Sequence, residues 1–343
     1  MDIRQNVSLR DYSTMRLGGT AAYLVDVHTR VEVQQAVAWA EQHNLPVMMI
    51  GGGSNIVWRD EGFPGLVIVN KIMGFEEQQE NEENYFVHVG AGENWDDVVA
   101  RAVARGLTGI EGLSLIPGTA GATPIQNVGA YGQEISQTLV SVDAYDRETK
   151  QFVTIANTEC TFGYRKSRFN RADRGRFFIT SITLCLRARN PKPPYYQTVE
   201  KYFIEHDITG ECTPQTMRDA VIAIRSSKLP DPAKIANNGS FFGNPIVEHK
   251  IFEKLKAEYG ELPHRHLDDG RVKLSAAWMI EKVGLKDFHD DETGMATWHL
   301  QPLVFVNEKA QTTAGLIKFR QKVLDAVEEK FDVLLKQEPE LLP

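Results

Sequence analysis

Apolar residues recur at helical spacing in some stretches of the chain and run together in others, and the changes of period mark its elements. Val33, Ala36, Val37 and Ala40 share one face of a helix from about Val31 to His43, with Thr29 placed to cap it. Ala21–Val27, Pro46–Ile50 and Leu66–Val69 read as strands around that helix, giving a small βαββ unit. The acidic stretch Glu76–Asn84 reads as a surface connection. Tyr85–Val89 resumes strand character, and Asn94 caps a helix that runs to Arg105 and is ended by Gly106. Leu139–Tyr145, Gln151–Ile155 and Phe177–Leu186 are β-like, so this second region is β-rich with one prominent helix. A third, α/β portion follows Pro191–Pro194. Its helices start at Thr213-Pro214, near His249, at Ser275 and at Thr312; the last presents Leu316, Phe319, Val323, Val327 and Phe331 along one side. Leu303–Val306 and Val333–Leu335 read as strands.

Two stretches resist either period. Gly51-Gly52-Gly53-Ser54-Asn55 follows the strand ending at Ile50, and Leu115–Gly132 combines four glycines with two prolines. Glycine admits positive φ and lets backbone come close to a bound group, and successive backbone NH groups can wrap a diphosphate or a flat ring. Two such loops point to one large, phosphate-containing ligand.

Composition narrows the class. The 343 residues exceed one ordinary domain, so about two or three are expected. An apolar content of 42% with 24% charged residues is that of a globular protein. A net charge of -8 argues against bulk attraction to nucleic acid or an anionic membrane. No apolar run approaches a membrane span, and the first residues lack the apolar core of a secretion signal. Cys160, Cys185 and Cys212 form no disulfide or metal-ligand pattern and read as reduced thiols of a cytoplasmic protein.

The familiar motifs are missing: there is no P-loop, no H-E-x-x-H and no complete G-x-G-x-x-G. His264-Arg265-His266 with Asp268 and Asp269 reads as a polar surface loop rather than a metal site. Phe162-Gly163-Tyr164-Arg165 opens a local cationic run, and its glycine and aromatics suggest an ordered turn. Ser240 lies between Asn238-Gly239 and Phe241-Phe242. A serine hydroxyl is a poor acid and gives up a proton usefully only to a strongly basic carbanion or enolate beside it. Desolvation by Phe241 and Phe242, with cations from Arg225, Lys228 and Arg165, would favour that role. A carboxylate-bearing substrate would suit a two-pronged arginine grip.

Together these segments resemble a known family. Gly51–Asn55, Ile116-Pro117-Gly118 through Gly129-Ala130-Tyr131-Gly132, Phe162–Arg165, Lys228-Leu229-Pro230-Asp231-Pro232, and Gly239-Ser240-Phe241-Phe242 with Asn244-Pro245 match, in order, the motifs of the UDP-N-acetylenolpyruvoylglucosamine reductases of bacterial peptidoglycan synthesis, in the form with a tyrosine loop. The resemblance implies an α+β fold, with a two-part FAD-binding module of the vanillyl-alcohol oxidase type and a C-terminal α/β substrate-binding domain. The boundaries expected are 1–75 and 76–210 for the two FAD-binding parts and 211–331 for the substrate domain, with the tail 332–343 packing back on the first part.

It implies non-covalent FAD, held by Gly51, Gly52, Gly53, Ser54, Asn55, Pro117, Gly118, Thr119, Gly121, Ala122, Gln126, Asn127, Gly129, Ala130, Tyr131 and Gly132. NADPH would be the co-substrate, using the same cleft as the sugar nucleotide. Hydride would pass from flavin N5 to C3 of the enolpyruvyl group, Ser240 would protonate C2, and Arg165 would polarise the substrate carboxylate. Glu340 matches the family's acidic partner, and Tyr196, Arg225, Lys228, Asn244 and Gln301 match positions that hold the sugar nucleotide. Tyr195 adjoins Tyr196 and competes for its assignment. Residue 243 is glycine where the family often carries lysine. A monomer acting on small molecules is expected, without nucleic acid, membrane or metal. Two other readings stay open: a different flavin oxidase or dehydrogenase on the same FAD scaffold, and a non-enzymatic flavin or sugar-nucleotide sensor.

Overall fold

Helix α1 (Arg30–Gln42) starts where the sequence places it, because Thr29 and Glu32 satisfy each other's backbone NH groups in a capping box. Its buried face of Val33, Ala36, Val37 and Ala40 packs on a four-stranded sheet ordered Arg4–Ser8, Thr20–Val27, Phe63–Asn70, Val47–Ile50. The last three strands run parallel, as a crossover helix requires. Helix α2 (Trp95–Ala104) is capped by Asn94, whose side chain accepts from Asp96 N and Asp97 N. It buries Trp95, Val98, Val99 and Ala102 against an antiparallel sheet ordered Gln151–Ala156, Leu139–Asp146, Phe177–Arg187, Asn84–Gly90, Phe75–Gln79. Helices α3 (Gln197–Glu205) and α4 (Pro214–Ser226) pack on each other through Val199, Phe203, Met217, Val221 and Ile224.

The computed structural model describes residues 1–343, which divide into two compact units. Apart from the strand-end residues Ser8 and Thr20, all of the above belongs to the first, built from Met1–Val7, Ala21–Gly52 and Phe63–Ser227. The second combines Ser8–Thr20 and Gly53–Gly62 with Lys228–Pro343. Its sheet is ordered Ala236–Ser240, Gln301–Asn307, Met295–Trp298, His289–Asp290, all antiparallel. Helices α5 (His249–Tyr259), α6 (Ala276–Lys282) and α7 (Thr313–Phe331) surround a core in which Phe241 stacks on Phe305 at 4.5 Å and Phe319 meets Phe305 edge-on. Met15, Leu17 and Val57 complete this core. Asp60 caps α7 by accepting from Thr313 N and Ala314 N.

This division differs from boundaries at 75 and 210. Residues 8–20 and 53–62 leave the N-terminal portion because their apolar side chains fill the core of the second unit. Helix α4 joins the first unit because its apolar face is buried on α3. Three local expectations also change. The start of Glu76–Asn84, read as a connection, belongs instead to the edge strand Phe75–Gln79, whose exposed charges suit an unpaired margin. Val333 and Leu335 are buried without belonging to a strand; the strands lie at Lys336–Gln337 and Glu340–Leu342 instead. His264–His266 is a short exposed strand rather than a loop.

Candidate active site

In the first unit the two glycine loops meet. A Cβ on Gly51 would fall 2.2 Å from Thr119 Oγ1, and one on Gly52 would fall 3.1 Å from Gly118 Cα. Only residues without side chains allow loops this close. Trp95 N donates to Gly118 O, and Asn94 bridges Thr119, so the second loop is fixed to the start of α2. Backbone brought together in this way, with small side chains around it, fits a diphosphate or a flat ring.

Further along the same stretch, Asn127 is buried with φ 49° and works as a bracket. Its Nδ2 donates to Glu134 Oε2 at 2.8 Å and to Gly163 O at 3.2 Å, while its Oδ1 accepts from Ser136 N. Gly163 and Lys166 exchange two backbone hydrogen bonds, which closes a tight turn with Arg165 at φ 52°. Arg165 Nη2 then donates to Gly129 O at 3.0 Å. The motifs at 129–132 and 162–165 therefore form one surface.

Tyr131 continues that surface. Its ring meets Tyr196 edge-on at 5.8 Å, and the Arg225 guanidinium acts on its hydroxyl. Burial pushes the Tyr131 hydroxyl pKa up, with Arg225 opposing it, and burial pushes the Arg225 guanidinium down. Tyr195 is committed elsewhere: its ring packs on Phe203, its hydroxyl donates to Pro191 O, and its NH donates to Glu200. Tyr196 is 46% exposed, so it is the one of the pair turned to solvent.

In the second unit Ser240 ends its strand opposite Val304, just after Gly239 at φ 68°. The two phenylalanines beside it are core residues, 1% exposed, so they anchor the serine instead of roofing it. Asn238 donates through Nδ2 to Thr14 Oγ1, Ser54 O and Ile56 O, which ties the serine strand to the second half of the first glycine loop. Glu340 N donates to Asn55 O at 2.9 Å, and Glu340–Leu342 pairs in parallel with Ile56–Trp58. Glu338 N donates to Phe241 O at 2.9 Å. The Asn238 side chain and the Glu340 backbone thus bring the Ser240 strand and Glu340 to the Ser54–Asn55 turn.

Gly243 pairs with Lys336 across a two-residue ladder. Asn244 Oδ1 accepts from Ala276 N, at the start of α6. Lys228 uses its carbonyl to accept from Trp298 Nε1, while Gln301 Oε1 accepts from Leu303 N at 3.5 Å. Arg225 and Lys228, close in sequence, fall in different units.

Sequence reading missed Asp96, Arg218 and Asn238. Arg218 is 9% exposed and grips Asp96 with two hydrogen bonds of 2.7 and 2.9 Å. Desolvation works to raise the Asp96 pKa, but Arg218, the Leu115 NH and the field of Arg225 outweigh it and hold the carboxyl below its ordinary range. The signal available was the seven-residue spacing of Arg218 and Arg225, two turns apart on one helix face. No group of three or more His, Cys, Asp or Glu is placed to hold a metal ion, and no helix is long and apolar enough to cross a membrane.

Residues 21–154 match the family described as FAD binding domain. With the α+β fold and the paired glycine loops, this defines the class: a flavoprotein oxidoreductase with an FAD-binding module followed by a separate C-terminal domain. Residues 231–342 match the family described as UDP-N-acetylenolpyruvoylglucosamine reductase, C-terminal domain. Proteins named UDP-N-acetylenolpyruvoylglucosamine reductase from Amoebophilus asiaticus and Ralstonia nicotianae are 38% and 39% identical, and the matches cover 100% and 96% of this chain and of each relative. The one from Pseudomonas putida is 38% identical over 98% of both chains. The crystal structure of the Thermus caldophilus reductase shares the fold, with a TM-score of 0.70 over 100% of both chains at 23% identity. The chain belongs to the UDP-N-acetylenolpyruvoylglucosamine reductase family.

Proposed function

We propose that the protein is an NADPH-dependent flavoenzyme that reduces UDP-N-acetylenolpyruvoylglucosamine to UDP-N-acetylmuramate during peptidoglycan precursor synthesis. It acts in the cytoplasm, as a monomer, on a nucleotide-linked sugar. The observation that carries this reading is the tie of the Ser240 strand, through the Asn238 side chain, and of the Glu340 backbone to the Ser54–Asn55 turn. A hydroxyl and a carboxyl are set beside a loop suited to a cofactor.

Gly51, Gly52, the Gly118–Thr119 turn and the 129–132 segment would hold FAD without a covalent bond. Bound there, FAD would supply hydride-transfer chemistry between NADPH and C3 of the enolpyruvyl group. Arg165, steadied on Gly129 O, grips the substrate carboxylate and stabilises the negative charge that develops next to it. Ser240 holds the proton for C2: its Oγ–H bond breaks as the C2–H bond forms, and the double bond is lost. Glu340 is the acidic partner of this step. Tyr196, Arg225, Lys228, Asn244 and Gln301 hold the sugar nucleotide. NADPH binds first and leaves before the sugar nucleotide enters, an order of the ping-pong kind.

The test is direct. Purified protein should be yellow, bleach on anaerobic addition of NADPH, and recover its colour when the enolpyruvyl sugar nucleotide is added. A colourless protein that takes up no FAD defeats the reading. Bleaching without recovery points to another flavin dehydrogenase, and colour without bleaching points to a sensor.

A further inference from the structure

We infer that Asp96 is a positioning residue for the anionic ligand of this protein, acting through Arg218 to fix Arg225 beside Tyr131. This rests on the proposed sugar-nucleotide site. Helix α4 shows Arg218 and Arg225 on one face, two turns apart. Arg218 is consumed by Asp96, in a planar fork that sets both the distance and the rotation of the helix at that point. The same carboxylate accepts from Leu115 N, and Asp96 itself stands in the first turn of α2. One side chain therefore joins the start of α2, the entry to the glycine-rich loop and α4.

The charges divide accordingly. Asp96 is held in the fork of Arg218, so Arg225 feels only its field and stands beside the neutral Tyr131 hydroxyl. Arg225 Nε is buried without a hydrogen-bond partner. A guanidinium so poorly compensated is costly at rest and favours an incoming anion such as a diphosphate. Its position depends on where α4 lies, and the Asp96–Arg218 fork sets that. Removing the Asp96 charge would break the fork, loosen the helix and cost Arg225 its fixed position.

The experiment measures binding of UDP to the flavin-loaded protein by calorimetry. Asp96→Asn should weaken UDP by about tenfold while flavin content and the flavin spectrum stay unchanged. The same substitution should add nothing in an Arg225→Ala background, because both changes act on one contact. Unchanged UDP affinity in Asp96→Asn overturns the inference, and so do independent, multiplying losses in the double variant. If Asp96→Asn does not fold, Arg218→Lys reads the same link, since it keeps the charge and loses the fork; full UDP affinity there also overturns it. A wild-type chain that binds UDP without turnover defeats the proposed reaction and leaves this test intact. A wild-type chain that does not bind UDP defeats both.

Discussion

Thr119 Oγ1 lies 2.2 Å from the point that a Cβ on Gly51 would occupy, so the threonine hydroxyl can stand where the two glycine loops meet only while residue 51 has no side chain. Gly51→Ala must push the Thr119 hydroxyl, and with it the second loop, out of place. The expected result is a folded protein, judged by far-ultraviolet circular dichroism, that purifies with little or no flavin. Adding Thr119→Ala removes the offending oxygen and should restore part of the flavin content. Wild-type flavin in Gly51→Ala alone would show that the junction is not part of the cofactor site.

Ser240→Ala separates the two half-reactions. The alanine fits the strand opposite Val304, and the adjoining phenylalanine anchors remain, so the backbone is undisturbed. Reduction by NADPH should stay within about twofold, while reoxidation by the sugar nucleotide should slow by ~10²–10⁴-fold, the usual worth of a general acid. Anaerobic stopped-flow absorbance reads both. Two fast half-reactions would remove the proton-donor role.

Asp146 gives the first unit a pH-dependent component. Arg176 clasps its carboxylate with hydrogen bonds of 2.9 and 2.8 Å; that contact, against desolvation and helped by the Glu148 NH and Thr149, lowers its pKa from 3.8 to about 2. The folded protein thus binds this proton more weakly than the unfolded chain. The stabilisation is present in full above the unfolded value and is lost as pH falls from about 4 through about 2. Asp146→Asn should cost about 2 kcal/mol at pH 7, with a gap from wild type that shrinks below pH 4. Urea unfolding of both proteins at pH 7 and pH 3 measures this; a constant gap would contradict it.

The three thiols should be slow to react in the native protein. Burial pushes Cys160 up to about 11, and it also raises Cys185 and Cys212. Ellman's reagent at pH 8 should label all three promptly in denaturant. In native buffer Cys185, the least buried, should lead and Cys160 should lag. Equal rates in the two conditions would mean that the sheet next to Cys160 opens freely.

Elements with a one-sided apolar period were legible in the sequence: α1, α2, α4, α5, α6 and α7 start at or next to the expected residues, mostly because a Thr, Ser or Asn caps them. Helix α3 was not, since it buries only Val199 and Phe203 and Tyr196 gives it no side-chain cap. The division into units was also hidden. Met15, Leu17 and Val57 are isolated apolar residues in short segments, and no period announces which core they enter. At the site, the glycine turns could be read because glycine is chosen for backbone reasons. The Asp96–Arg218 pair could not, because charged residues on a helix read as solvent-facing until their partner is seen. Phe241 and Phe242 were misplaced for the converse reason: adjacency to Ser240 suggested a cover, whereas both rings pack against Phe305 in the core.

The pairing of Glu340–Leu342 with Ile56–Trp58 has a consequence for biosynthesis. A ribosome making this protein has delivered every residue of the first unit once Ser227 has emerged, so that unit can close early. Met15, Leu17 and Val57 have no such option. They are translated near the start, and their packing partners, among them Phe241 and Phe319, come roughly 180 to 300 residues later. Throughout that interval the nascent chain carries these early greasy side chains uncovered, which makes the second half of translation the period when it most needs a chaperone.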